Sequence, residues 1–157
     1  MKKILFKIIY NHFPESDNNN DNWQHVLNNC SFVPSDFYLQ SMIEYYVSYF
    51  NKNDAINISF ILYNNKEPVG VMPLMVRKNE KQKWILTSNA LEILEPIFSA
   101  SLARKVKKRL IKEIKNLIYD LAKKLNIKEC QFGNMSLLNL SSWYLMWAEI
   151  AKKNFST

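Results

Sequence analysis

The residues with the clearest chemical potential lie where a short apolar segment runs into a long basic helix. The stretch ILEPIFSASLARKVKKRLIKEIKNLIYDLAKK begins at Ile93. Two hydroxyls, Ser99 and Ser101, and two cations, Arg104 and Lys105, fall at the predicted start of this helix. Because the first turn of a helix offers amide groups and the positive end of the helix dipole, these residues predict a site for a phosphate or another anion.

The excess positive charge of the chain is concentrated in this helix. The net charge is +7, and the segment from Ser99 to Lys124 holds nine Lys or Arg residues against two acids, which accounts for all of it. A local stripe of this kind attracts anions, although it is also typical of a solvated helix face. Nucleic-acid binding is disfavoured because the cations scatter around the polar face without interleaved aromatic residues for stacking.

Metal and disulfide chemistry is disfavoured by the spacing of the cysteines and histidines. Cys30 and Cys130 lie far apart, and His12 and His25 form no metal-binding pair such as HxxxH. The sequence therefore predicts no metal site and two free thiols, as in a reducing compartment.

The N-terminal segment MKKILFKIIYNHF is predicted to contain a strand rather than a targeting signal. Its apolar run is interrupted by Lys7 and is followed by no small-residue cleavage site. No run in the chain reaches the about 20 apolar residues of a membrane span. These features predict a cytoplasmic protein without a membrane-spanning helix.

Length and composition predict a single domain over residues 1–157. The chain has 157 residues, of which 48% are hydrophobic, and this is enough for a packed core. The predicted elements, in order, are a strand over Lys3–Tyr10, a helix to Asn29 capped by Asp21 or Asn22, a helix from a Ser35 cap to Phe50, hairpin strands over Ile56–Tyr63 and Val69–Val76, short strands over Trp84–Thr87 and Leu91–Phe98, the long helix, a strand in IKECQFGNM, and a final helix.

Local residue chemistry adds three expectations. Pro73 lies inside the second hairpin strand and lacks an amide donor, so a bulge or a free edge is predicted there. Ser99 or Ser101 is predicted to cap the long helix, and Asn126 is predicted to close it in a left-handed conformation. The aromatic stripe of the second helix is predicted to be core, with the wall of a substrate cleft as the alternative; it comprises Phe37, Met42, Tyr45, Tyr46, Tyr49 and Phe50.

The order of the elements predicts an α+β fold, built as a mixed, mostly antiparallel sheet flanked by helices in a three-layer arrangement. The strand before the long helix and the strand after it form a strand–helix–strand unit. Such a unit crosses over with a right-handed turn and places its two strands in parallel. One locally parallel pair is therefore expected around the long helix.

This order of elements resembles the GNAT-type acyltransferase fold from its first strand through its fourth helix. The hairpin SFILYNNKEPVGVMPL is similar to the central antiparallel strands of that family, with a polar turn, a P-x-G step and an apolar return. The PVGVMPL form, a tryptophan-bearing segment near the N-terminus and EPIF before the long helix resemble the FemAB-like branch. That branch includes bacterial aminoacyl- and acyltransferases of cell-wall and surface-polysaccharide pathways.

The resemblance implies an N-acyl transfer to an amine of a surface-glycan or peptidoglycan precursor. Such a transfer needs a base for the amine and a proton donor for the leaving group. The matching positions are Glu95, at the end of the strand before the long helix, and Tyr144, on the predicted fourth helix. The implied acyl donor is acetyl-CoA, another acyl-CoA or an aminoacyl-tRNA, bound by its phosphates; the residues expected to hold it are Ser99, Ser101, Arg104 and Lys105.

Two departures from the family pattern keep a second interpretation open. The position of the family's glycine-rich pyrophosphate loop reads EPIFSASLARKV, which contains no glycine. The sequence also stops after the predicted fourth helix, where the family continues into two more strands. The alternative is therefore a non-catalytic half-domain, corresponding to the N-terminal half of a two-unit FemAB-like protein, that pairs with a partner chain or forms a homodimer to complete its sheet.

Overall fold

The computed structural model of the chain describes residues 6–8, 17–89, 92–127, 130 and 132. These residues form an α+β structure, as predicted. The helices are α1 (Asp17–Asn28), α2 (Gln40–Tyr49) and α3 (Arg104–Lys124). The predicted final helix lies outside the described residues. The strands are β1 (Phe6–Ile8), β2 (Ile56–Asn57), β3 (Phe60–Asn64), β4 (Glu67–Met72), β5 (Met75–Lys78), β6 (Trp84–Thr87) and β7 (Ile97–Phe98).

The described strands form two antiparallel sheets instead of the single mixed sheet that was expected. One sheet has the strand order β1-β3-β4-β7, and the other has the order β2-β5-β6. In addition, Ile93 forms a parallel bridge with Phe132. Because these two residues flank α3 in the sequence, the bridge confirms the predicted parallel pairing around the long helix.

The two sheets separate where Pro73 interrupts the predicted second hairpin strand. β4 ends at Met72 and pairs with β3, whereas β5 begins at Met75 and pairs with β2. Proline has no amide to donate, so the ladder cannot continue through it. Of the two predicted alternatives at Pro73, a bulge or a free edge, the bulge is wrong, because the chain there passes from one sheet to the other. The register shift lies instead between Leu62 and Tyr63 on β3.

Buried hydroxyl groups satisfy the backbone at this break between the sheets. Ser59 is only 1% exposed, and its Oγ donates to the Leu74 carbonyl at 3.2 Å and accepts from the Leu74 amide at 3.0 Å. The Oγ of Ser88 donates to the carbonyl oxygen of Pro73 and accepts from the amide of Leu94 at 3.0 Å. These bonds replace ladder bonds that the break removes, so the buried backbone groups remain paired.

Replacing Ser59 with alanine is expected to lower the free energy of unfolding by about 1–3 kcal/mol, because the buried Leu74 amide would lose its acceptor. Ser35→Ala is the matched control, since the Ser35 Oγ is buried without a hydrogen-bond partner among the described residues. Urea unfolding followed by circular dichroism measures both variants. Equal stability of the two variants would contradict the role given to Ser59.

Gly70, in the PVG step of β4, allows three strands to pack closely. It pairs with Leu62 on β3 and with Phe98 on β7. A Cβ atom at this position would lie 2.8 Å from Leu62 Cδ1, 2.9 Å from Phe98 Cδ1 and 3.1 Å from the carbonyl oxygen of Ile97. A side chain would therefore push these groups apart, which gives the P-x-G step a structural reason.

The larger sheet is covered on both faces, because successive residues of β3 point to opposite sides. Ile61 packs into a cluster with Trp23 and Val26 of α1. Phe60 and Leu62 pack into a second cluster with residues of α3. The buried residues on the apolar face of α3 are Leu110, Ile114, Ile118 and Ala122. The predicted layers of helix, sheet and helix are therefore present.

Residue type predicts where α3 ends but not where it begins. Its N-cap residue is Ala103, which makes no side-chain cap hydrogen bond, so the predicted cap at Ser99 or Ser101 is wrong. The Leu102 amide donates to the Ser99 carbonyl at 3.1 Å. This bond closes a separate turn before the helix, and α3 begins only after it.

The C-terminal end of α3 is closed as predicted. Asn126 has a φ of 53°, which is left-handed. Its amide donates to the Lys123 carbonyl at 3.2 Å, and the Ile127 amide donates to the Ala122 carbonyl at 2.8 Å. This pair of bonds is the Schellman motif, which satisfies the last carbonyls of a helix.

The starts of α1 and α2 are set by packing more than by capping residues. α1 begins at Asp17, upstream of the predicted cap at Asp21 or Asn22. Ser35 precedes only a short 3₁₀ turn over Asp36–Tyr38, without a side-chain cap bond, and α2 follows at Gln40. The buried side of α1 stabilises its polar first turns, because most helical stability in proteins comes from tertiary packing.

The prediction that the aromatic stripe of α2 is core is wrong for two of its members. Tyr45 and Tyr49 are 55% and 66% exposed. Their rings stack on each other with centroids 6.0 Å apart. The buried residue of α2 is Ile43, so the stripe lies beside the buried side of the helix rather than on it.

Candidate functional site

The start of α3 presents an exposed group of polar and cationic side chains. Ser101, Arg104 and Lys105 are all exposed, whereas Ser99 is 5% exposed. The structure therefore brings three of the four predicted anion-binding residues to the surface in the segment that opens the helix. Ser99 instead lies in an antiparallel bridge with Cys30.

The backbone amides before α3 are largely committed to the fold. The Ser99 amide donates to the Val69 carbonyl at 2.9 Å, and the Ala100 amide donates to the Asn29 carbonyl at 2.8 Å. A third amide, that of Leu102, bonds the Ser99 carbonyl, as described above. These amides cannot also surround a phosphate. An anion at this place would depend on side chains and on the first helical turn.

The charges in the first turn of α3 oppose the helix dipole. Arg104 and Lys105 occupy this turn, and it contains no acidic residue. A cation at the positive end of a helix costs about 0.3–1 kcal/mol at low ionic strength. A bound anion would turn this unfavourable local arrangement into a favourable one. Two exposed cations at such a position are typical of an anion site.

Glu95 is held by hydrogen bonds that link three distant segments. The hydroxyl of Tyr38 donates to the backbone carbonyl of Glu95 at 2.7 Å. The Nε1 of Trp23 in turn donates to the backbone carbonyl of Tyr38 at 2.8 Å. Trp23 is 0% exposed and Tyr38 is 2% exposed, so these bonds lie in the interior. Glu95 itself is partly exposed.

The Tyr38 hydroxyl stays protonated at neutral pH. Burial raises its pKa far above the usual range, and the nearby negative charge of Glu95 raises the pKa further. A protonated hydroxyl is what the bond to the Glu95 carbonyl requires. Glu95 lies in the segment just before β7 and not at the end of a strand as predicted, so Tyr38 is a positioning residue for this segment rather than a ready proton donor.

Reasoning from the sequence singled out Glu95 as a candidate but not Tyr38. The two residues are 57 positions apart, and nothing in the local pattern of SFVPSDFYLQ connects them. The local sequence offered only a tyrosine in a segment rich in Pro, Ser and Asp. A buried aromatic side chain is less expected in such a segment than in a helix. Tyr144, the predicted proton donor, lies outside the described residues.

Other site classes find no support in the described part of the chain. No group of three or more His, Cys, Asp or Glu side chains lies close enough there to hold a metal ion. Cys30 and Cys130 form no disulfide within the described residues. Among the helices described, none is both long and apolar enough to traverse a lipid bilayer.

The site thus combines the partly exposed Glu95, whose backbone carbonyl is bound by Tyr38, with a cationic helix start that follows it along the same connection. Comparison of the chain with known protein families, with curated proteins and with solved structures finds no match. A functional assignment therefore depends on the residues and geometry of the chain itself.

Proposed function

We propose that the chain is an N-acyltransferase with a GNAT-like, FemAB-type architecture, acting on an amine of a cell-surface glycan or peptidoglycan precursor. The observation that carries the proposal is the sequence of features around β7. Glu95, whose backbone carbonyl accepts a hydrogen bond from Tyr38, comes just before this strand, and two exposed cations at the start of a helix come just after it. The parallel bridge between Ile93 and Phe132, on either side of α3, supports a strand–helix–strand arrangement there.

The phosphates of an acyl donor fit the side chains at the start of α3. Arg104 and Lys105 supply two positive charges, and Ser101 supplies a hydroxyl donor. The residues therefore suit a phosphate-bearing donor held by side chains, such as acyl-CoA or an aminoacyl-tRNA. When bound, the donor supplies an activated acyl carbonyl to the site.

Glu95 is assigned the role of base toward the incoming amine. A protonated amine is not a nucleophile, and a carboxylate within hydrogen-bond reach can accept its proton. The negative charge of Glu95 also attracts an ammonium group to the segment just before β7. The bond from Tyr38 fixes the backbone at Glu95, from which the side chain extends.

An acyl-transfer assay tests this function. The purified chain is incubated with acetyl-CoA and a panel of amines that includes glucosamine and a lysine-containing peptide, and the acylated amine is detected by mass. A parallel arm supplies an aminoacyl-tRNA in place of acetyl-CoA. The proposal predicts an acylated amine in one arm above the uncatalysed rate. A folded chain that forms none in either arm contradicts it.

A second candidate function is a non-catalytic half-domain that pairs with a partner chain. It is favoured by the aromatic surface of α2, where Tyr45 and Tyr49 are 55% and 66% exposed and stack on each other. Exposed tyrosines supply large contact area at low entropic cost and are enriched at protein interfaces. Light scattering after size exclusion distinguishes the two candidate functions. A stable dimer that catalyses no acyl transfer supports the half-domain. A monomer opposes a half-domain that forms a homodimer.

A further inference from the structure

A cleft of about 500 Å³ lies between the turn that joins β5 to β6 and the C-terminal end of α3. Trp84 and Leu125 contribute apolar surface to it. Its polar lining is formed by Asn79, Gln82, Lys83 and Asn126. The cleft is within the volume range of small-molecule sites, which typically combine an apolar wall with a few placed polar groups.

The cleft is separate from the anion site at the other end of α3. The helix has 21 residues, and at 1.5 Å per residue its two ends are about 30 Å apart. One small ligand cannot occupy both places. A role for the cleft therefore does not depend on the acyl-donor proposal.

The lining of the cleft is held by local hydrogen bonds. The Oδ1 of Asn79 accepts from the amides of Lys81 and Lys83 at 2.9 and 3.0 Å, which fixes this side chain within the turn. Because its carbonyl is engaged, Asn79 retains its NH₂ group as a donor. Asn126 is fixed by the Schellman motif at the end of α3.

Gln82 occupies a conformation that its residue type does not favour. Its φ is 58°, and the other non-glycine residues with positive φ in the described part of the chain are Asp54, Asn65 and Asn126, which tolerate this region better. Glycine is the usual residue at the left-handed position of such a hairpin turn. Gln82 has a long amide side chain instead, and its left-handed backbone conformation costs roughly 1 kcal/mol. Gln82 therefore contributes a long amide side chain to the lining of the cleft from a strained backbone position.

Trp84 is a partly exposed indole in a fixed position. It pairs across the strands with Lys78, whose Nζ lies 5.1 Å from the centroid of the indole. Lys78 is also bound to Asp54 at 2.6 Å, which neutralises its charge locally. Lys83 therefore supplies the positive charge within the cleft, and Lys123 and Lys124 lie in the adjoining last turn of α3.

We propose that this cleft binds an acidic saccharide. The indole of Trp84 offers a flat apolar surface for a sugar ring, and the side-chain amides of Asn79, Gln82 and Asn126 match the donors and acceptors of hydroxyl groups. Lys83 and the neighbouring lysines favour a sugar that carries a carboxylate or a phosphate. The ligand class is thus an anionic sugar or oligosaccharide.

Saturation-transfer NMR with an oligogalacturonate tetrasaccharide tests the proposal, and maltotetraose serves as the neutral probe. The acidic probe is expected to bind the wild-type chain at least about threefold more tightly than the neutral one. Gln82→Gly should weaken binding about fivefold, which corresponds to the loss of one hydrogen bond. This variant also relieves the strained φ, so it is expected to fold.

Charge variants complete the test. Lys83→Gln should remove the preference for the acidic probe, whereas Lys81→Gln, in the same turn but outside the cleft lining, should retain it. The double variant Arg104→Glu/Lys105→Glu should bind the saccharide as the wild type does. The proposal is overturned if neither probe binds, if both bind equally to the wild type, or if Gln82→Gly and Lys83→Gln leave binding unchanged.

Discussion

Glu95→Gln is expected to lower the rate of acyl transfer at least about 100-fold, since general-base catalysis by a placed side chain contributes roughly 10²–10⁴. Glutamine has nearly the same shape as glutamate, so the backbone bond from Tyr38 to position 95 should persist. The substitution removes the capacity to accept a proton and the negative charge that attracts the amine. The initial rate of formation of the acylated amine measures the effect.

The matched control is Glu92→Gln, which removes the same charge from another partly buried glutamate three positions earlier. This variant should retain at least about half of the wild-type rate, because surface changes away from a site are usually small in effect. Donor affinity should be the same in Glu95→Gln and in the wild type. Equal rates for the two glutamine variants would remove Glu95 from the proposed mechanism.

Trp23→Ala is expected to lower the free energy of unfolding by about 3–5 kcal/mol, the usual cost of removing a buried tryptophan. Trp23 is 0% exposed and packs on one face of the larger sheet. This loss would be a large share of the about 5–15 kcal/mol that stabilises a typical domain. Urea unfolding followed by far-ultraviolet circular dichroism measures it.

Trp23→Phe separates packing from hydrogen bonding at this position. Phenylalanine keeps an aromatic ring in the core but cannot donate to the Tyr38 carbonyl, which Trp23 Nε1 does at 2.8 Å. A loss of about 1–3 kcal/mol is expected, mostly because a buried carbonyl would be left unpaired. If Trp23→Ala changes the stability by less than about 1 kcal/mol, the account of how α1 anchors Tyr38 fails.

Features that depend on nearby residues could be predicted from the sequence. The apolar face of α3 follows from the spacing of residues such as Leu110, Ile114 and Ile118, and all three are buried. The left-handed cap at Asn126 follows from the tolerance of asparagine for positive φ. The parallel bridge between Ile93 and Phe132 follows from the constraint that a helix places on the two strands it connects.

Features that depend on distant partners could not be predicted in the same way. Pro73 indicated that a ladder bond would be missing, but the passage between two sheets also needs the hydroxyls of Ser59 and Ser88. Each of these serines lies 15 positions from the backbone group that it satisfies. The late start of α3 likewise reflects backbone bonds from Ser99 and Ala100 to other segments.

The candidate site shows the same division. The cations at the start of α3 were evident from the sequence because the charge is local, and Arg104 and Lys105 are exposed as an anion site requires. The burial of Ser99 was not evident, because it results from pairing with Cys30 on another segment. The link from Trp23 through Tyr38 to Glu95 joins three segments that only the fold brings together.

The most direct test of the acyltransferase assignment is calorimetric titration of acetyl-CoA into the wild-type chain and two charge variants. Arg104→Glu/Lys105→Glu reverses the charges of the first turn of α3, and Lys108→Glu/Lys112→Glu makes the same change at two exposed residues further along the helix. The account predicts that acetyl-CoA binds the wild type. Arg104→Glu/Lys105→Glu should lower the affinity at least about tenfold, which corresponds to about 1.4 kcal/mol. Lys108→Glu/Lys112→Glu should cause a much smaller loss. Equal losses for the two variants, or no binding to the folded wild type, would contradict it.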